Sequence, residues 1–174
     1  LPKTYGFNGI SQIQVLTPTR KSLIGVQNLN IVLQDKLNPS SPDKGEYATN
    51  RCTYRVGDKV MQIKNNYQME WERLDGREKG LGVFNGDVGE IETIVNEGTK
   101  KEIIINFDNN KVRYTGSNFN KFKHAYAISI HKSQGSEFDT IIIPIVNNYG
   151  KMLYRKLIYT AVTRCKKKLY LVGE

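Results

Sequence analysis

Cysteine is scarce in this sequence, and other features that mark whole classes of proteins are missing. The two cysteines, Cys52 and Cys165, lie far apart and match no metal-ligand spacing, which favours a reduced, cytoplasmic protein without a disulfide framework or a protein-bound structural metal. No apolar run is long enough to cross a membrane, and no signal peptide is recognisable, so we expect no membrane partner. The sequence begins at Leu1 without methionine, from which we expect it to be part of a longer chain.

A phosphate-binding loop is also missing. The pattern GxxxxGK[ST] does not occur, and no acidic pair follows an apolar strand in the way that would hold Mg²⁺. We therefore expect these 174 residues to contain at most half of a site for nucleotide hydrolysis.

Positive charge is present in excess. The chain has 26 Lys and Arg residues against 17 Asp and Glu, a formal net charge of +9, and an isoelectric point near 9.5. This favours a polyanionic partner such as nucleic acid, because Lys and Arg release condensed counterions from phosphates when they bind. The excess is +3 in residues 1–54, +1 in 55–123 and +5 in 124–174.

Short apolar strands and helical repeats alternate at both ends of the chain. Val26, Leu29, Leu33 and Leu37 are spaced as one face of a helix that Asn38-Pro39 ends, and a second helix is predicted over Tyr149–Cys165. Strands are predicted at 13–17, 126–130, 140–146 and 168–173. This pattern predicts an α/β fold with a parallel sheet.

The middle of the chain has a different pattern, with short strands separated by turns, which predicts a small SH3-like β-barrel over residues 55–115. Within it, residues 65–80 are rich in charge and glycine and are predicted to form a long mobile loop. Residues 38–54 are rich in Pro, Ser and Gly and are predicted to be a linker. We expect the barrel to be an insert in one α/β domain made of residues 1–54 and 116–174, because a connection of this length is too long for a crossover.

The stretch from His124 to Ile143 places a polar turn, HKSQGSEFD, between two apolar strands. Ligands of α/β sheets bind at the carboxyl ends of strands, so this turn is a candidate functional site. The alternative is an ordinary polar surface loop.

Four blocks occur in order along the chain: LTPTRKSLIGVQNLN, VFNGDVG, AISIHKSQGSEFD and LIYTAVTRCKKKLYLVG. Together they resemble the second motor lobe of a superfamily 1 DNA helicase of the RecD/TraA type, similar to the exodeoxyribonuclease V alpha subunit. The resemblance covers nearly the whole chain. It implies a RecA-like lobe of the P-loop NTPase type with an inserted SH3-like barrel.

The resemblance also implies an activity and partners. The parent protein would be an ATP-dependent, 5′→3′ DNA helicase of repair or recombination. Single-stranded DNA would bind across both lobes, and ATP and Mg²⁺ would be held mainly by the N-terminal lobe. Subunits of a recombination complex are further expected partners.

Nucleotide contacts are implied at four positions. Arg164 matches the arginine finger that reaches the γ-phosphate from this lobe. Glu137 matches a residue on the ATP ribose, and Gly135 one whose backbone lies close to the phosphates. Gln134 is the fourth implied nucleotide contact, and it stands where many relatives outside this branch have Lys, so it lacks the charge of that Lys. The alternative for Arg164 is a solvated cation near a helix terminus.

Nucleic-acid contacts are implied at positions in three blocks: Thr17, Thr19 and Arg20; Ser129 and His131; Asn85 and Asp87. Each has a structural alternative, since Pro18 can simply end a strand, His131 can be a core histidine, and Asn85-Gly86 is a common turn dipeptide. Tyr67, Trp71, Phe84 and Tyr114 could stack on bases, but we expect most of them to lie in the barrel core.

Two other functions are compatible with the sequence. One is a non-enzymatic nucleic-acid-binding module, and the other is the helicase lobe of a conjugative relaxase or nuclease complex. A phosphate-binding lysine in the parent sequence would distinguish the helicase from the binding module.

Overall fold

The computed structural model describes residues 12–146, 149 and 155–173, and the structural statements below concern those residues. The two helices are α1 (Val26–Leu37) and α2 (Arg155–Val162). The strands, in chain order, are β1 (Ile13–Thr17), β2 (Glu46–Ala48), β3 (Thr53–Arg55), β4 (Lys59–Gln62), β5 (Asn66–Arg73), β6 (Lys79–Val83), β7 (Val88–Glu97), β8 (Lys100–Phe107), β9 (Asn110–Thr115), β10 (Phe122–His124), β11 (Ala127–Ser129), β12 (Phe138–Ile145) and β13 (Cys165–Gly173).

A four-stranded sheet with the order β11-β1-β12-β13 forms the core of one compact unit, to which the described residues within 1–33 and 126–174 belong. All three strand pairings are parallel. The two inner strands carry fully buried apolar side chains such as Leu16 and Ile141, as expected for a parallel sheet. The predicted parallel sheet is thus confirmed, and β1 has the predicted bounds.

The structure has one α-helix near each end of the chain, as the sequence pattern predicts. The side-chain amide of Asn30 in α1 makes two hydrogen bonds to the backbone of Ala127 in β11, with lengths of 2.8 and 3.0 Å, so it fixes the helix beside that strand. In α2, Leu157 and Ala161 are buried. The predicted helix was too long at its end, since Cys165 begins β13, while its residues 150–154 lie outside the described part of the chain.

Residues 34–125 form the second compact unit, which is built on a seven-stranded antiparallel sheet with the order β10-β4-β7-β8-β9-β5-β6. Its core is one cluster of apolar side chains that includes the fully buried Ile91, Ile103, Ile105 and Tyr114. This unit extends beyond the predicted barrel bounds of 55–115 on both sides. Those bounds, for a barrel as a separate domain, remain a prediction.

Two segments predicted as irregular are ordered hairpins. The predicted mobile loop 65–80 contains β5 and the start of β6, and the predicted linker 38–54 contains β2 and the start of β3. The loop prediction was wrong because β5 and β6 are mostly solvent-facing, so they carry the charge and glycine that suggested a loop. Trp71 shows how β5 is aligned with its neighbours, since it pairs with Gly80 of β6 on one side and with Val112 of β9 on the other.

A polar cluster lies buried within the antiparallel unit. The carboxylate of Asp58 is fully buried and accepts four hydrogen bonds of 2.7 to 3.0 Å, from the side chains of Gln34, Asn38 and His124 and from the backbone N–H of Arg55. Burial alone would lower the pKa of His124, but the hydrogen bond to Asp58 and the neighbouring Cys52 outweigh it and raise this pKa to about 9. His124 is therefore cationic at neutral pH.

Candidate nucleotide and nucleic-acid site

The amino-terminal edge of β12 and β13 brings two of the predicted nucleotide-binding residues together. Helix α2 ends in a tight turn, in which the backbone N–H of Thr163 and that of Arg164 bond back to the carbonyls of Tyr159 and Ala161. The carbonyl of Arg164 then accepts the N–H of Phe138 at 2.9 Å. Since Phe138 follows Glu137 directly, this backbone bond places Arg164 and Glu137 on neighbouring strand ends.

Arg164 has an uncommitted charge. Its side chain makes one long hydrogen bond, of 3.4 Å, from Nη2 to the hydroxyl of Thr163. Its Nε is buried and has no hydrogen-bond partner, and within the described residues no carboxylate lies within 4.0 Å of the guanidinium. A guanidinium that is partly desolvated and unpaired is electrostatically costly unless an anion completes its surroundings.

The carboxylate of Glu137 lies at the same edge and is exposed. It pairs with Lys166 of β13 at 3.0 Å, and both side chains are more than half exposed. Gly135, two residues earlier, has a φ of +86°, a backbone conformation that glycine adopts without strain, and Gln134 is exposed. Lys166 was not among the predicted site residues, although its place in the basic run after Arg164 indicates that it is a neighbour of the site.

The carboxyl-terminal edge of the sheet holds the other predicted residues of this unit. Thr17 and Ser129 are register partners at the ends of β1 and β11. The Thr17 hydroxyl is buried, bonds to the carbonyl of Ile24 at 2.8 Å and lies 3.0 Å from the Tyr149 hydroxyl. Its hydroxyl is thus already used internally, a role that sequence reasoning missed.

The remaining residues at this edge differ in their exposure. Arg20 and His131 are exposed, while Ser129 is buried, and the hydroxyl of Thr19 lies 2.6 Å from that of Ser22. The exposure of His131 argues against its alternative interpretation as a core histidine. The edge therefore offers a cation and an imidazole to solvent, and these are groups that contact phosphates.

Asn85 and Asp87 lie in the antiparallel unit, within the turn that joins β6 and β7. The Asp87 carboxylate accepts the backbone N–H of Phe84 at 2.7 Å, and the backbone N–H of Asn85 donates to the side chain of Asn65 at 2.8 Å. Gly86 has a φ of +107°. These bonds match the turn interpretation of the motif.

The four aromatic residues that were considered for base stacking divide into two kinds. Tyr114 is fully buried and Trp71 packs against the core, as expected. Tyr67 is 68% exposed and Phe84 is 45% exposed, so the core expectation is wrong for these two. Their rings contact each other edge to face, with centroids 5.7 Å apart.

Comparison with known families adds two matches to this geometry. Residues 29–107 match the SH3 domain of ATP-dependent RecD-like DNA helicases. Residues 124–172 match the C-terminal domain of UvrD-like helicases. Together with the parallel sheet, these matches define the chain as a RecA-like helicase lobe with an SH3 insert.

Two relatives extend over most of the chain. The ATP-dependent RecD2 DNA helicase of Deinococcus radiodurans is 33% identical over 166 residues, which are 95% of this chain and 21% of that protein. The RecBCD enzyme subunit RecD of Buchnera aphidicola subsp. Schizaphis graminum is 25% identical over 156 residues, 90% of this chain and 24% of that subunit. The chain belongs to the RecD-like family of superfamily 1 DNA helicases, and it spans about a fifth to a quarter of these relatives.

Solved structures show the same fold. Bacteroides Pif1 bound to single-stranded DNA matches 91% of this chain with a TM-score of 0.57 and 21% identity, and the match covers 40% of that structure. The Pif1 helicase of Candida albicans matches 92% of this chain with a TM-score of 0.55 and 18% identity, over 44% of its own length.

In the described part of the present chain, no helix has the length and apolar character needed to span a membrane.

Proposed function

We propose that this chain is the second motor lobe of an ATP-dependent DNA helicase that translocates 5′→3′ along single-stranded DNA. The D. radiodurans relative is named an ATP-dependent DNA helicase and the Buchnera relative a subunit of the RecBCD enzyme, and these names support the helicase activity. The 5′→3′ polarity, a role in DNA repair or recombination and a cytoplasmic location are part of the proposal as implications of the resemblance. The partners would be single-stranded DNA, the N-terminal lobe of the parent chain and, in recombination, further subunits.

The uncommitted guanidinium of Arg164 is the observation that carries this proposal. Its buried Nε has no partner, and its charge is not matched by a carboxylate in the described residues. The γ-phosphate of ATP would supply both the missing charge and the missing acceptor. In this role Arg164 stabilises negative charge on the transferred phosphoryl group, and it does so from the lobe that moves relative to the phosphate-binding loop.

The neighbouring residues fit the rest of a nucleotide. Lys166, paired with Glu137 at 3.0 Å, adds positive charge at the same edge. Glu137 would accept hydroxyl groups of the ribose, and the backbone at Gln134 and Gly135 would approach the phosphates. Mg²⁺, when bound, neutralises phosphate charge, and the N-terminal lobe would provide its ligands. In the described part of this chain, no group of three or more His, Cys, Asp or Glu residues could hold a metal ion.

DNA would lie along the carboxyl-terminal edge of the same sheet. Arg20 and His131 are exposed there, Thr19 directly precedes Arg20, and the buried Ser129 ends β11 two residues before His131. Thr17 would act indirectly, because its buried hydroxyl bonds to Ile24 and contacts Tyr149, which shapes the loop that carries Thr19 and Arg20. In the antiparallel unit, Asn85 and Asp87 would contribute through the turn that they fix.

The test is to replace Arg164 in the full-length parent protein. We expect Arg164→Ala to lower ATP turnover by about a thousandfold or more, as losses of arginine fingers do, with little change in single-strand binding. Arg164→Lys should restore little, because a point charge lacks the planar pair of donors. ATP turnover and the affinity for an oligonucleotide are measured for each variant.

Arg155→Ala is the matched control, since Arg155 is an exposed arginine at the start of α2. Its turnover should be close to that of the unmodified protein. If Arg164→Ala abolishes strand binding and leaves hydrolysis intact, the assignment of Arg164 is wrong and a non-enzymatic binding function gains support.

A further inference from the structure

A small pocket on the antiparallel unit has a composition unlike that of the whole chain. Its volume is about 360 Å³, and three aromatic side chains line it: Trp71, Phe84 and Phe107. Two acidic side chains, Asp87 and Asp108, also line it, and its described lining residues include no Lys or Arg. In a chain with a net charge of +9, this pocket is a local reversal of charge.

The two acidic residues of the pocket each lie in a turn. Asp108 and Asn109 have φ values of +49° and +68°, which is the geometry of a tight turn between β8 and β9. Across the pocket, one oxygen of Asp87 accepts the N–H of Phe84, and the Asp87 N–H bonds back to the carbonyl of Phe84 at 3.1 Å. The hydrogen bonds of its turn therefore position the Asp87 carboxylate, and the β8–β9 turn positions the backbone of Asp108.

Strand alternation keeps basic side chains out of the pocket. Asn110 and Val112 of β9 line it, whereas Lys111 and Arg113 line a larger groove, which shares only Trp71 with this pocket. These two cations are already paired with carboxylates of other strands, at 2.7 and 3.4 Å. Asp108 has no ion pair within the described part of the chain, so its charge is available to a ligand.

Two glycines of β6 allow the aromatic rings to lie close to the backbone. A Cβ at Gly80 would be 2.3 Å from the Trp71 ring, and a Cβ at Gly82, whose φ is +104°, would be 2.9 Å from the Phe84 ring. The two rings therefore lie against a strand with no side chains at those positions. Aromatic faces held in this way attract cations through their quadrupoles.

We propose that this pocket binds an arginine side chain of a partner protein. A guanidinium is planar and weakly hydrated, so it stacks on aromatic rings while its N–H groups donate to carboxylates, here to Asp108 and to the second oxygen of Asp87. Nucleic acid is disfavoured as the ligand because its phosphates would be repelled by two carboxylates without a nearby cation in the lining. This inference does not depend on the proposed ATP site, and it shares only Asp87 with the proposed DNA site, to which Asp87 would contribute through its turn and not by touching a phosphate.

Trp71 makes the proposal testable by fluorescence, because it is the only tryptophan of the chain. The probes are an acetylated and amidated Gly-Gly-Arg-Gly-Gly peptide, the same peptide with Gln in place of Arg, and an oligothymidylate. We expect saturable quenching of Trp71 by the arginine peptide but not by the glutamine peptide. Asp108→Asn should weaken arginine-peptide binding about fivefold, the upper range for a solvent-exposed ion pair.

Glu70→Gln is the matched control, because Glu70 is an acidic residue next to Trp71 on β5 but lines the larger groove and not this pocket. Its affinity for the arginine peptide should be unchanged, and circular dichroism should show that both variants are folded. Equal weakening by Glu70→Gln would overturn the proposal. So would an absence of both saturable quenching and amide chemical-shift changes at Phe84 and Asp108. Oligothymidylate that competes with the peptide and binds more tightly to Asp108→Asn would identify a nucleic-acid site instead.

Discussion

The side chains of Thr17 and Arg164 show that the partners of a residue decide what it can do. Both residues match motif positions, yet the Thr17 hydroxyl is buried and already bonded to Ile24. The guanidinium of Arg164 has a buried Nε without a partner. An internal hydrogen bond satisfies the first group, whereas the second has no acceptor among the described residues, as expected of a group that would bind an anion. The unpaired side chain is therefore the better candidate for chemistry.

The pair of His124 and Asp58 leads to a prediction about pH. The pKa of His124 is raised in the folded chain to about 9, above its ordinary value of 6.5. The pair therefore contributes its full stabilisation below pH 6.5, and this contribution is lost as the pH rises through about 9. We expect His124→Gln to destabilise the antiparallel unit at pH 6 by on the order of 2 kcal/mol more than at pH 9.5.

The measurement is urea unfolding followed by Trp71 fluorescence, which reports on the same unit. Burial lowers the pKa of Lys59 to about 7, so the stability of the unmodified chain also changes with pH through Lys59. The prediction therefore concerns the difference in the free energy of unfolding between His124→Gln and the unmodified chain at each pH. Lys59 thus adds stability as the pH rises, which opposes the effect of His124. His131 is the only other histidine of the chain and is exposed, so the effect of His131→Gln on stability should be the same at both pH values. A constant effect of His124→Gln at both pH values would contradict the raised pKa.

The hairpin of β5 and β6 leads to a prediction at the level of the element. A Cβ at Gly80 would meet the Trp71 ring at 2.3 Å, so Gly80→Ala must displace that ring from its packed position. We expect a loss of about 1 to 3 kcal/mol in the free energy of unfolding, as for other overpacked sites. The emission maximum of Trp71 should also shift to longer wavelength as the ring becomes exposed.

Leu81→Ala is the control for this substitution, because Leu81 is the next residue of the same strand and is 65% exposed. It should change stability by less than about 0.5 kcal/mol. If Gly80→Ala is as mild as Leu81→Ala, with unchanged Trp71 emission, then the ring does not lie against Gly80.

The secondary structure could be predicted from sequence where burial controls the residue pattern. Strand β1 and the region of α1 were predicted because their apolar residues recur with the period of the element. The β5–β6 hairpin was missed because most of its side chains face solvent, so its alternation carries no apolar signal. The short strand β10 was likewise missed, since its three residues include two polar ones.

The candidate site was predictable in its parts but not in its contacts. The resemblance to a helicase lobe selected Arg164 and Glu137 from the chain, and the parallel sheet brings them to adjacent strand ends. The ion pair between Glu137 and Lys166 depends on side-chain positions, and so does the hydrogen bond from the Thr17 hydroxyl to the carbonyl of Ile24. The spacing of residues in the sequence does not specify such positions. The pocket of Asp87 and Asp108 joins two turns that lie 20 residues apart, so only the folded sheet reveals it.

At the scale of the whole molecule, each compact unit concentrates a different kind of interaction. The parallel unit has the basic residues of 124–174 and both candidate edges of the motor lobe. The antiparallel unit is nearly neutral overall and combines a buried ionic cluster with an acidic aromatic pocket. According to the two proposals, the parallel sheet would serve phosphate chemistry, while the insert would bind another protein.

The final prediction concerns the 174-residue chain by itself. We expect it to bind single-stranded DNA weakly and with little sequence preference, because its candidate contacts are to phosphates. Its affinity should fall about tenfold or more between 50 and 200 mM salt, as counterion release requires for a few phosphate contacts. It should hydrolyse no ATP above background, since the arginine finger alone cannot hold the phosphates and the metal. Fluorescence anisotropy of a labelled oligothymidylate and a phosphate-release assay measure the two properties. Turnover that Arg164→Ala abolishes, or binding that salt leaves unchanged, would show that the chain does not act as half of a two-lobed motor.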